Sequence, residues 1–596
     1  MLKKLLKIKD YPKYVKTINE RFIKPKLLFL SELNSDFNPK FVAPSNGINL
    51  TENELKHFDI LSKEINIFEK INWYKDISSN RTWPKEHYRK IKISYLDNSD
   101  IKYIWEVGRL QFLPQLGALY KKTKQEKYAI KFKEIITDFY NENTIKVGPN
   151  WKCTMDVAIR AVNLIYSYNY FKDSKSLDLK FWQDYFNSLY KTGQFIFNNI
   201  EWAPERGNHY LSDIVGLFYL GILFKETKKG REWLSFAHIE LEKEIQLQIT
   251  SDGVDFEGST AYHRLVTELF FYTFIFGKEN NIAFSKEYIK RLKKATGFIS
   301  NYIMNSGITP QIGDNDNAQL LKLDNKRNIN DYRYLLQLSD IYLKTKYNLT
   351  SIENETLFFT NKKTAKKYQL KPICKSFSCG FNIFRNKDIF LLIKCGAKNQ
   401  ISGGGHTHND QLSFVLEYKR NYLLVDSGTY SYTGNPEKRN QFRSTQSHNT
   451  ITTDNKEQIA IPENLFRLEN KNITKLNLFR YKKNKLIFEG TFKKYSEKIN
   501  YKRIIEVDFT KKEMIIIDQT DNKDKKIFKQ IFNINPNYKI LKNRACIKIK
   551  NLNINLEKFT QIEDSQYSEK YGQIQPSKKI IFETTTNQII TKIKFN

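Results

Sequence analysis

Residues 401–450 have the sequence ISGGGHTHNDQLSFVLEYKRNYLLVDSGTYSYTGNPEKRNQFRSTQSHNT. This stretch is the most informative part of the chain for its fold. Residues 411–418 and 421–426 have the composition and the two-residue period of β-strands. Lys419 and Arg420 between them leave room only for a tight turn. The two segments are therefore predicted to form a β-hairpin.

Three of the eight histidines fall in this stretch, namely His406, His408 and His448. A hairpin brings its outer ends together, so His408, which starts the first predicted strand, should lie near Asp426, which ends the second. With His448 from the following loop, these residues form a plausible zinc-binding set of two imidazoles and one carboxylate. The alternative is that each side chain only hydrogen-bonds to the backbone at a strand end, and the residues alone leave both interpretations open.

The chain is predicted to be an α+β multidomain protein, since 596 residues are too many for one core. Residues 51–347 carry apolar residues at a spacing of three and four, which predicts an array of helical hairpins that could close into an (α/α) toroid. Residues 372–596 show a period of two without intervening helices, which predicts an antiparallel β-sandwich. Residues 1–50 are interpreted as an N-terminal arm, and residues 348–371 as a polar linker.

These two periodicities also locate individual elements. The predicted helices are 105–113, 155–168, 179–200, 208–223, 261–276 and 285–304. The clearest predicted strands of the second half are 388–395, 485–492, 502–509 and 513–519.

The formal net charge of +33, from 98 Lys and Arg against 65 Asp and Glu, favours a polyanionic partner. An acidic polysaccharide, an anionic membrane surface and a nucleic acid all satisfy this condition. A compositional origin is equally open, because Lys, Ile and Asn are abundant throughout, as expected from AT-rich coding DNA. No nucleic-acid partner is expected, since no helix-turn-helix, RRM-type or zinc-finger pattern is present.

Five scattered cysteines without a CxxC pair indicate reduced thiols rather than a disulfide framework. The N-terminal residues are basic and show no continuous apolar segment or cleavage site, so no export signal is predicted. No transmembrane segment is expected either. The expected location is cytoplasmic, or periplasmic if the start codon is misassigned.

Two polar segments lie where loops are predicted to enter helices, 205–209 (ERGNH) and 252–264 (DGVDFEGSTAYHR). Such junctions place polar side chains and free backbone N–H groups at the rim of a domain, where anions bind well. The simpler interpretation is that the Asp, Asn, Ser and Thr residues there cap helices.

The order of several segments resembles that of the heparinase II/III-type polysaccharide lyases, which combine an N-terminal (α/α) toroid with an antiparallel β-sandwich. The resemblance spans about half of the chain and is most specific in the last three segments. The matching segments are WKCTMDVAIRAVNL (151–164), GNHYLSD (207–213), DGVDFEGSTAYHRLV (252–266), GGGHTHNDQLSF (403–414), LLVDSGTYSYTG (423–434) and FRSTQSHNT (442–450).

The resemblance implies β-elimination in a uronate-containing acidic polysaccharide, which leaves a 4,5-unsaturated sugar. It implies that Asn208, with His209 beside it, neutralises the uronate carboxylate. Tyr262 would be the base, or both base and acid, and His406 its partner. A basic tyrosine needs positively charged surroundings, which His263, Arg264 and Arg443 could provide.

The same resemblance assigns supporting roles to further residues. The substrate-binding candidates are Arg160, Glu257, His263, Arg264 and Arg443. It also implies that His408, Asp426 and His448 bind a structural zinc, with Asp410 and Asn449 as supporting residues, and that no organic cofactor is needed.

Two alternatives remain open, one about the polymer and one about catalysis. The absence of a predicted export signal suits family members associated with bacterial capsule or O-antigen better than those that degrade extracellular glycans. A non-catalytic glycan-binding or polysaccharide-assembly factor on the same fold is the alternative to an enzyme. The joint presence of Asn208, Tyr262 and His406 argues against it, because binding alone does not require that set.

Overall fold

The computed structural model describes residues 39–41, 48–347, 354–360, 370–396, 404–468, 472–494, 496, 499–521, 526–543, 545–555 and 560–596. Most of the predicted N-terminal arm (1–50) and most of the predicted linker (348–371) lie outside these residues.

The first domain consists mainly of helices. In chain order they are α1 (Glu52–Lys56), α2 (Ile101–Gly108), α3 (Leu113–Thr123), α4 (Glu126–Glu142), α5 (Thr154–Phe171), α6 (Leu179–Asn198), α7 (Asn208–Leu223), α8 (Lys228–Gln248), α9 (Thr260–Glu279), α10 (Lys286–Tyr302), α11 (Arg333–Tyr342) and α12 (Asn354–Leu357). A small hairpin, β1 (Phe58–Ile60) with β2 (Lys63–Ile65), follows α1 and was not predicted from the sequence.

The helices form two layers. Helices α5, α7 and α9 are buried on almost every side, whereas α4 and α6 bury one face and expose the other. A helix surrounded by protein can be apolar all round, and a surface helix keeps one polar face. Because α5 packs on α7 and α7 on α9, these helices line the inside of the toroid and the amphipathic ones cover it.

The second domain is an antiparallel β-sandwich. Its strands are β3 (Ile373–Phe377), β4 (Phe381–Arg385), β5 (Ile389–Lys394), β6 (Phe414–Tyr418), β7 (Asn421–Leu424), β8 (Ile451–Thr453), β9 (Ile473–Lys482), β10 (Lys485–Lys494), β11 (Ile499–Asp508), β12 (Glu513–Thr520), β13 (Phe528–Ile534), β14 (Ile540–Lys542), β15 (Cys546–Ile549), β16 (Leu552–Asn555), β17 (Thr560–Tyr567), β18 (Gln575–Thr584) and β19 (Gln588–Phe595), with helix α13 (Pro436–Phe442) between β7 and β8.

The strands form two sheets that share one apolar core. One has the order β17-β18-β13-β7-β6-β5-β4-β3, with β8 also paired to β13, and the other has the order β14-β15-β16-β19-β12-β11-β10-β9. Leu391 and Phe414 of the first sheet pack in one cluster with Phe488 and Ile505 of the second. This arrangement is what a period of two requires, because alternate side chains of each strand face the opposite sheet.

The predicted fold, a helical toroid followed by an antiparallel sandwich, is confirmed. The predicted hairpin is present as β6 and β7, and Lys419 (φ 46°) and Arg420 (φ 62°) both have the positive φ angles that a two-residue type I′ turn requires. The strands are shorter than predicted, so His408 and Asp426 lie in the loops that flank the hairpin rather than at its strand ends.

One predicted helix, 105–113, is interrupted. Helix α2 ends at Gly108 and α3 begins at Leu113, and between them Leu110 has a φ angle of 57°. A residue in the left-handed region ends a helix, and the apolar spacing continues across the break because Leu110 is itself buried.

Loops of the toroid pack against the first sheet, and polar contacts fix this junction. The hydroxyl of Tyr571 donates to Asp100 Oδ2 at the start of α2 (2.5 Å) and accepts from the backbone N–H of Tyr432 (2.8 Å). Gln311 Nε2 donates to the carbonyl oxygen of Ser568 (3.1 Å). The junction therefore holds residues of both domains in one place.

None of the helices in the described ranges combines the length and the apolar character needed to cross a bilayer.

Candidate active site and metal centre

Asn208 lies at the first position of α7 with its amide against Glu257 of the loop that precedes α9. Its backbone N–H donates to Glu257 Oε1 (2.9 Å), and its Nδ2 donates to Oε1 (3.1 Å) and Oε2 (3.0 Å). Asn208 Oδ1 is buried and has no partner within the part of the chain that the structure describes. A buried acceptor without a partner is costly, so this atom marks a position where a donor from a ligand would be stabilising.

Tyr262, in the first turn of α9, stacks on His406 from the sandwich. The two ring centroids are 3.6 Å apart with an interplanar angle of 17°. The Tyr262 hydroxyl lies 3.0 Å from the hydroxyl of Tyr432, which follows β7. Both domains therefore contribute to this cluster, and its tyrosines are nearly buried, since Tyr262 is 4 % exposed.

The electrostatic surroundings of Tyr262 differ from those predicted. Burial, and then the carboxylates of Asp316 and Asp314, raise the pKa of Tyr262 well above its ordinary value. The expected cationic neighbours, His263 and Arg264, bind other groups. In this environment the phenol stays protonated at neutral pH and is better suited to donate a proton than to accept one.

Asp314, in the loop between α10 and α11, links the stacked pair to the predicted metal ligands. Its Oδ2 lies 3.0 Å from His406 Nδ1 and its Oδ1 lies 2.8 Å from His408 Nε2. Arg439 of α13 pairs with both oxygens at 2.7 Å. Burial alone would raise the pKa of Asp314, but Arg439 and the two histidines hold it well below its ordinary value.

An ionised Asp314 can only accept hydrogen bonds, so each histidine carries a proton on the nitrogen that faces it. For His406 that nitrogen is Nδ1, and its Nε2 lies 3.5 Å from Glu257 Oε2. His408 carries its proton on Nε2 and presents Nδ1. The side chain of His406 is 14 % exposed, so this ring can be reached from the surface.

The structure brings His408, Asp426 and His448 together with their ligand atoms within 4.8 Å of one another. All three are buried, and His448 Nδ1 lies 2.8 Å from Asp426 Oδ2. His408 Nδ1 and His448 Nε2 have no partner among the described residues. Two buried imidazole nitrogens left open beside a carboxylate fit a metal ion, and the hydrogen bond from His408 to Asp314 is the support that metal-bound histidines usually have.

The two supporting residues named from the sequence also lie here. Asn449 Nδ2 donates to the carbonyl oxygens of Phe414 (2.7 Å) and Val425 (3.0 Å), and therefore braces the two strands that lead into the metal set. Asp410 is buried, and its charge is one of those that raise the pKa of His448, after the nearer carboxylate of Asp426.

His209 follows Asn208 on α7, and its side chain is 51 % exposed. Its Nδ1 lies 3.2 Å from Glu201 Oε2. Partial burial opposes the charge of the ring, but the carboxylates of Glu201, Asp156 and Glu257 outweigh it and raise the pKa of His209 to about 9. An exposed imidazolium one residue from Asn208 is well placed to attract a carboxylate.

Four of the five predicted substrate-binding residues lie in the core. Arg160 donates to the carbonyl oxygens of Gly108 and Asn150, and Arg264 pairs with Glu268 and donates to the carbonyl of Ala318. Guanidinium groups that are about 1 % exposed and already hydrogen-bonded do not reach a polysaccharide.

His263 and Arg443 have structural contacts as well. His263 Nδ1 accepts from the N–H of Asp255 (3.1 Å), and its Nε2 lies 3.0 Å from the carbonyl of Ala295. Arg443 donates to four carbonyl oxygens of residues 462–467. Of the five, only Glu257 lies in the cluster, where it positions Asn208 rather than facing outward.

Asp314, Tyr432 and Arg439 belong to the site and were not identified from the sequence. Tyr432 lies inside the segment LLVDSGTYSYTG, but a tyrosine among 35 carries no signal of its own. Asp314 is separated by 92 residues from His406, so no local spacing relates them.

Fold and site together define a two-domain protein of toroid and sandwich, with a polar site at the junction and a set of potential metal ligands beneath it. The chain belongs to the heparinase II/III family: the heparinase II/III N-terminal family matches residues 44–338, and the heparinase II/III-like C-terminal family matches residues 374–596.

Among curated proteins, the chain is 25 % identical over 395 residues to a heparin-sulfate lyase of Bacteroides stercoris, covering 61 % of this chain and 55 % of that protein. It is 22 % identical over 369 residues to a heparin-sulfate lyase of Pedobacter heparinus, covering 60 % and 52 %. The chain thus spans about half the length of the curated relatives it matches.

Solved structures show the same fold. A crystal structure of heparinase III superposes with a TM-score of 0.70 at 15 % identity, covering 98 % of this chain and 88 % of that one. The heparan sulfate lyase HepC from Pedobacter heparinus superposes with a TM-score of 0.56 at 20 % identity, covering 91 % and 86 %.

Proposed function

We propose that the protein is a polysaccharide lyase that cleaves a uronate-containing acidic polysaccharide by β-elimination. The observation that supports this most directly is the stack of Tyr262 on His406 beside the amide of Asn208, at the junction of the two domains. The names of the curated relatives, heparin-sulfate lyases, favour a glycosaminoglycan as the polymer. The formal net charge of +33 suits an acidic chain of this kind.

In the proposed reaction a base removes the proton from C5 of the uronate, and the C4–oxygen bond breaks as the C4–C5 double bond forms. Negative charge builds on the uronate carboxyl group in the transition state and must be stabilised. The imidazolium of His209 supplies positive charge, and the open Oδ1 of Asn208 can accept a hydrogen bond from the substrate. Glu257 holds the Asn208 amide in place.

The geometry favours His406 as the base and Tyr262 as the acid. Asp314 orients the His406 ring through Nδ1, so Nε2 is the nitrogen that would take up the C5 proton, an arrangement that suits a general base. Tyr262 keeps its proton because burial raises its pKa, so it can protonate the departing oxygen. This division of roles differs from the one implied by the resemblance, in which Tyr262 is the base or serves as both.

We propose that the ion held by His408, Asp426 and His448 is zinc, because imidazole and carboxylate ligands in a small buried set suit it. When bound, the metal would supply a fixed link between the loops on either side of the β6–β7 hairpin. The ligands are fully buried, so this ion braces the sandwich and does not contact the polysaccharide.

The test is the ultraviolet absorbance of the unsaturated uronate product, followed with a panel of acidic polysaccharides. The panel holds heparan sulfate, hyaluronan, chondroitin, alginate and the organism's own capsule or O-antigen polymer. We expect absorbance to rise with at least one glycosaminoglycan, and to stay flat with Tyr262→Phe.

Tyr272→Phe provides a control, since that ring is buried in the toroid away from the junction. If the wild-type protein gives no rise in absorbance with any polymer of the panel but binds one of them measurably, the lyase activity is contradicted. That result would support a glycan-binding factor on the same fold.

A further inference from the structure

Three potential metal ligands outside the buried set converge beside Asn208. Cys153 precedes α5, Glu201 lies in the loop between α6 and α7, and His209 is in the first turn of α7. Cys153 Sγ lies 3.8 Å from His209 Nδ1 and 3.8 Å from Glu201 Oε2, and those two atoms are 3.2 Å apart. Neither the proposed elimination nor the helix caps require a thiol at this position.

These distances match the edges of a tetrahedral zinc site. With metal bonds of about 2.3 Å to sulfur, 2.0 Å to nitrogen and 2.1 Å to oxygen, tetrahedral angles place the ligand atoms about 3.4 to 3.6 Å apart. Each of the three observed separations lies within a few tenths of an ångström of that range. A shift of side chains alone would therefore complete the coordination, and no backbone movement is required.

The three ligands are held by contacts to their neighbours. Glu201 Oε2 accepts from the N–H of Met155 (2.8 Å), and the N–H of Glu201 donates to Asp213 Oδ2 (2.7 Å). The hydroxyl of Thr154, next to Cys153, donates to the carbonyl of Asn199 (2.8 Å). Ligands fixed by such outer contacts lose little freedom on binding a metal.

The three ligands differ in solvent exposure, from a buried thiol to a half-exposed imidazole, as expected for a metal site with one open position. The thiol of Cys153 is buried, the side chain of Glu201 is 31 % exposed, and that of His209 is about half exposed. A fourth position facing the solvent on the side of His209 could hold water or a ligand. Sites with three protein ligands and one open position are common for zinc.

We propose that Cys153, Glu201 and His209 form a second, solvent-facing site for a soft divalent transition-metal ion such as Zn²⁺, separate from the buried set of His408, Asp426 and His448. Because His209 adjoins Asn208, an ion at this rim site occupies the place where the uronate carboxyl group would be received. Occupation of the rim site therefore inhibits the elimination, a consequence that rests on the proposed function.

The site is tested by titrating the purified protein (residues 1–596) with Co²⁺ and recording its ultraviolet and visible spectrum. Only a thiolate ligand gives a sulfur-to-cobalt charge-transfer band, so the buried set of two histidines and an aspartate cannot produce it. We expect the band to reach its limit at one equivalent, to disappear in Cys153→Ser and to persist in Cys374→Ser, the matched loss of a thiol on β3. Added Zn²⁺ should remove it.

Glu201→Gln should keep the band but weaken Co²⁺ binding, by at least the roughly 10- to 100-fold seen when a supporting partner of a metal ligand is lost. An unchanged circular dichroism spectrum and melting temperature show that each variant is folded. Absence of the band in the wild-type protein, or its persistence in Cys153→Ser, would overturn the proposal.

These spectra need no substrate, so their outcome is independent of the lyase assay. With an active polymer in hand, micromolar Zn²⁺ should inhibit the wild-type protein and leave Cys153→Ser unaffected. Equal inhibition of the two proteins by Zn²⁺ would show that the ion does not inhibit by binding at the rim site.

Discussion

At the scale of single residues, Asn208 is a predicted catalytic side chain with one buried polar atom left open. The backbone and side-chain N–H groups of Asn208 donate to Glu257, whereas the buried Oδ1 of Asn208 lacks a partner among the described residues. Asn449, which braces two strands, has both ends of its amide satisfied.

Asn208→Ala should lower turnover by about 10²- to 10³-fold, the loss typical when one hydrogen bond made in the transition state is removed, because the substrate loses its bond to Oδ1. Asn208→Asp should be worse, because it adds a carboxylate against Glu257 where the substrate carboxyl group must bind. Steady-state kinetics on the active polymer measures both, with Asn477→Ala on exposed β9 as the control. Turnover within a few-fold of the wild type in Asn208→Ala would exclude this role.

His263 shows how burial changes a residue that the resemblance placed in the substrate site. Burial lowers the pKa of His263 from an ordinary value of 6.5 to about 4, and its contacts with Asp255 and Ala295 fit the neutral ring. The unfolded chain therefore binds a proton at His263 between pH 6.5 and 4, and the folded chain does not.

It follows that His263 lowers stability as the pH falls from 6.5 to 4, and adds no pH dependence above 6.5. The shift corresponds to roughly 3 kcal/mol of unfolding free energy over that window. Urea unfolding at a series of pH values should show a shallower loss below pH 6.5 for His263→Gln than for the wild type. Parallel curves for the two proteins would contradict this assignment.

At the scale of elements, Arg443 anchors the segment that borders the site. Its guanidinium donates to the carbonyl oxygens of Leu465 (2.9 Å) and Arg467 (3.2 Å). Between them Phe466 is 42 % exposed, and its ring lies edge-on to Tyr432 at 5.1 Å. A residue first interpreted as a substrate contact therefore holds a loop that carries an exposed aromatic ring next to the site.

Arg443→Met should release this loop, because the carbonyls of residues 462–467 lose a buried donor. The expected loss of unfolding free energy is roughly 1–3 kcal/mol, with faster proteolytic cleavage within 459–468. Urea unfolding and mass spectrometry of the fragments measure these effects, and Arg420→Met in the exposed hairpin turn is the control. An unchanged cleavage rate in Arg443→Met would show that the loop is held by other contacts.

The proposed metal site belongs to the same scale, since its ligands lie in the loop before β6 and in the loops that follow β7. His408→Ala should lower the content of bound metal, measured by elemental analysis, and the melting temperature by several degrees. His87→Ala, an exposed histidine of the toroid, should change neither. Purified protein without a bound divalent metal would contradict the metal centre itself.

At the scale of the whole molecule, the site exists only where the two domains meet. Tyr262, Asn208 and Asp314 come from the toroid, and His406 and Tyr432 from the sandwich. Tyr571 connects the two by donating to Asp100 and accepting from the N–H of Tyr432. The relative position of Tyr262 and Tyr432 therefore depends on contacts that lie outside the reacting cluster.

Tyr571→Phe should reduce turnover although the residue does not touch the substrate, because Tyr432 loses the partner of its backbone N–H. It should also cost roughly 1–3 kcal/mol of stability through the buried carboxylate of Asp100. Tyr538→Phe is the matched control, since that hydroxyl contacts Asn421 within the sandwich. Wild-type turnover in Tyr571→Phe would show that the domain junction does not position Tyr432.

Periodicity in the sequence was sufficient to predict the two domain types and some of their elements, although α4, α8 and most strands of the sandwich were not identified. Helix α7 and the β6–β7 hairpin follow from local spacing, because side-chain direction repeats every 3.6 residues in a helix and every two in a strand. The proximity of His408, Asp426 and His448 was predicted in a similar way, since a hairpin brings its own ends together. Resemblance then singled out Asn208, Tyr262 and His406 from motifs that each lie within a few residues.

Only the tertiary structure decided which polar residues serve the site and which hold the core. Asp314 and Tyr432 contact their partners across 92 and 170 residues, and no local spacing encodes such a contact. The pKa of Tyr262 likewise depends on burial and on carboxylates supplied by a different loop. In the sequence, Arg160, Arg264 and Arg443 could equally be anion-binding residues. The sequence does not show whether a guanidinium group faces the solvent or a buried carbonyl oxygen.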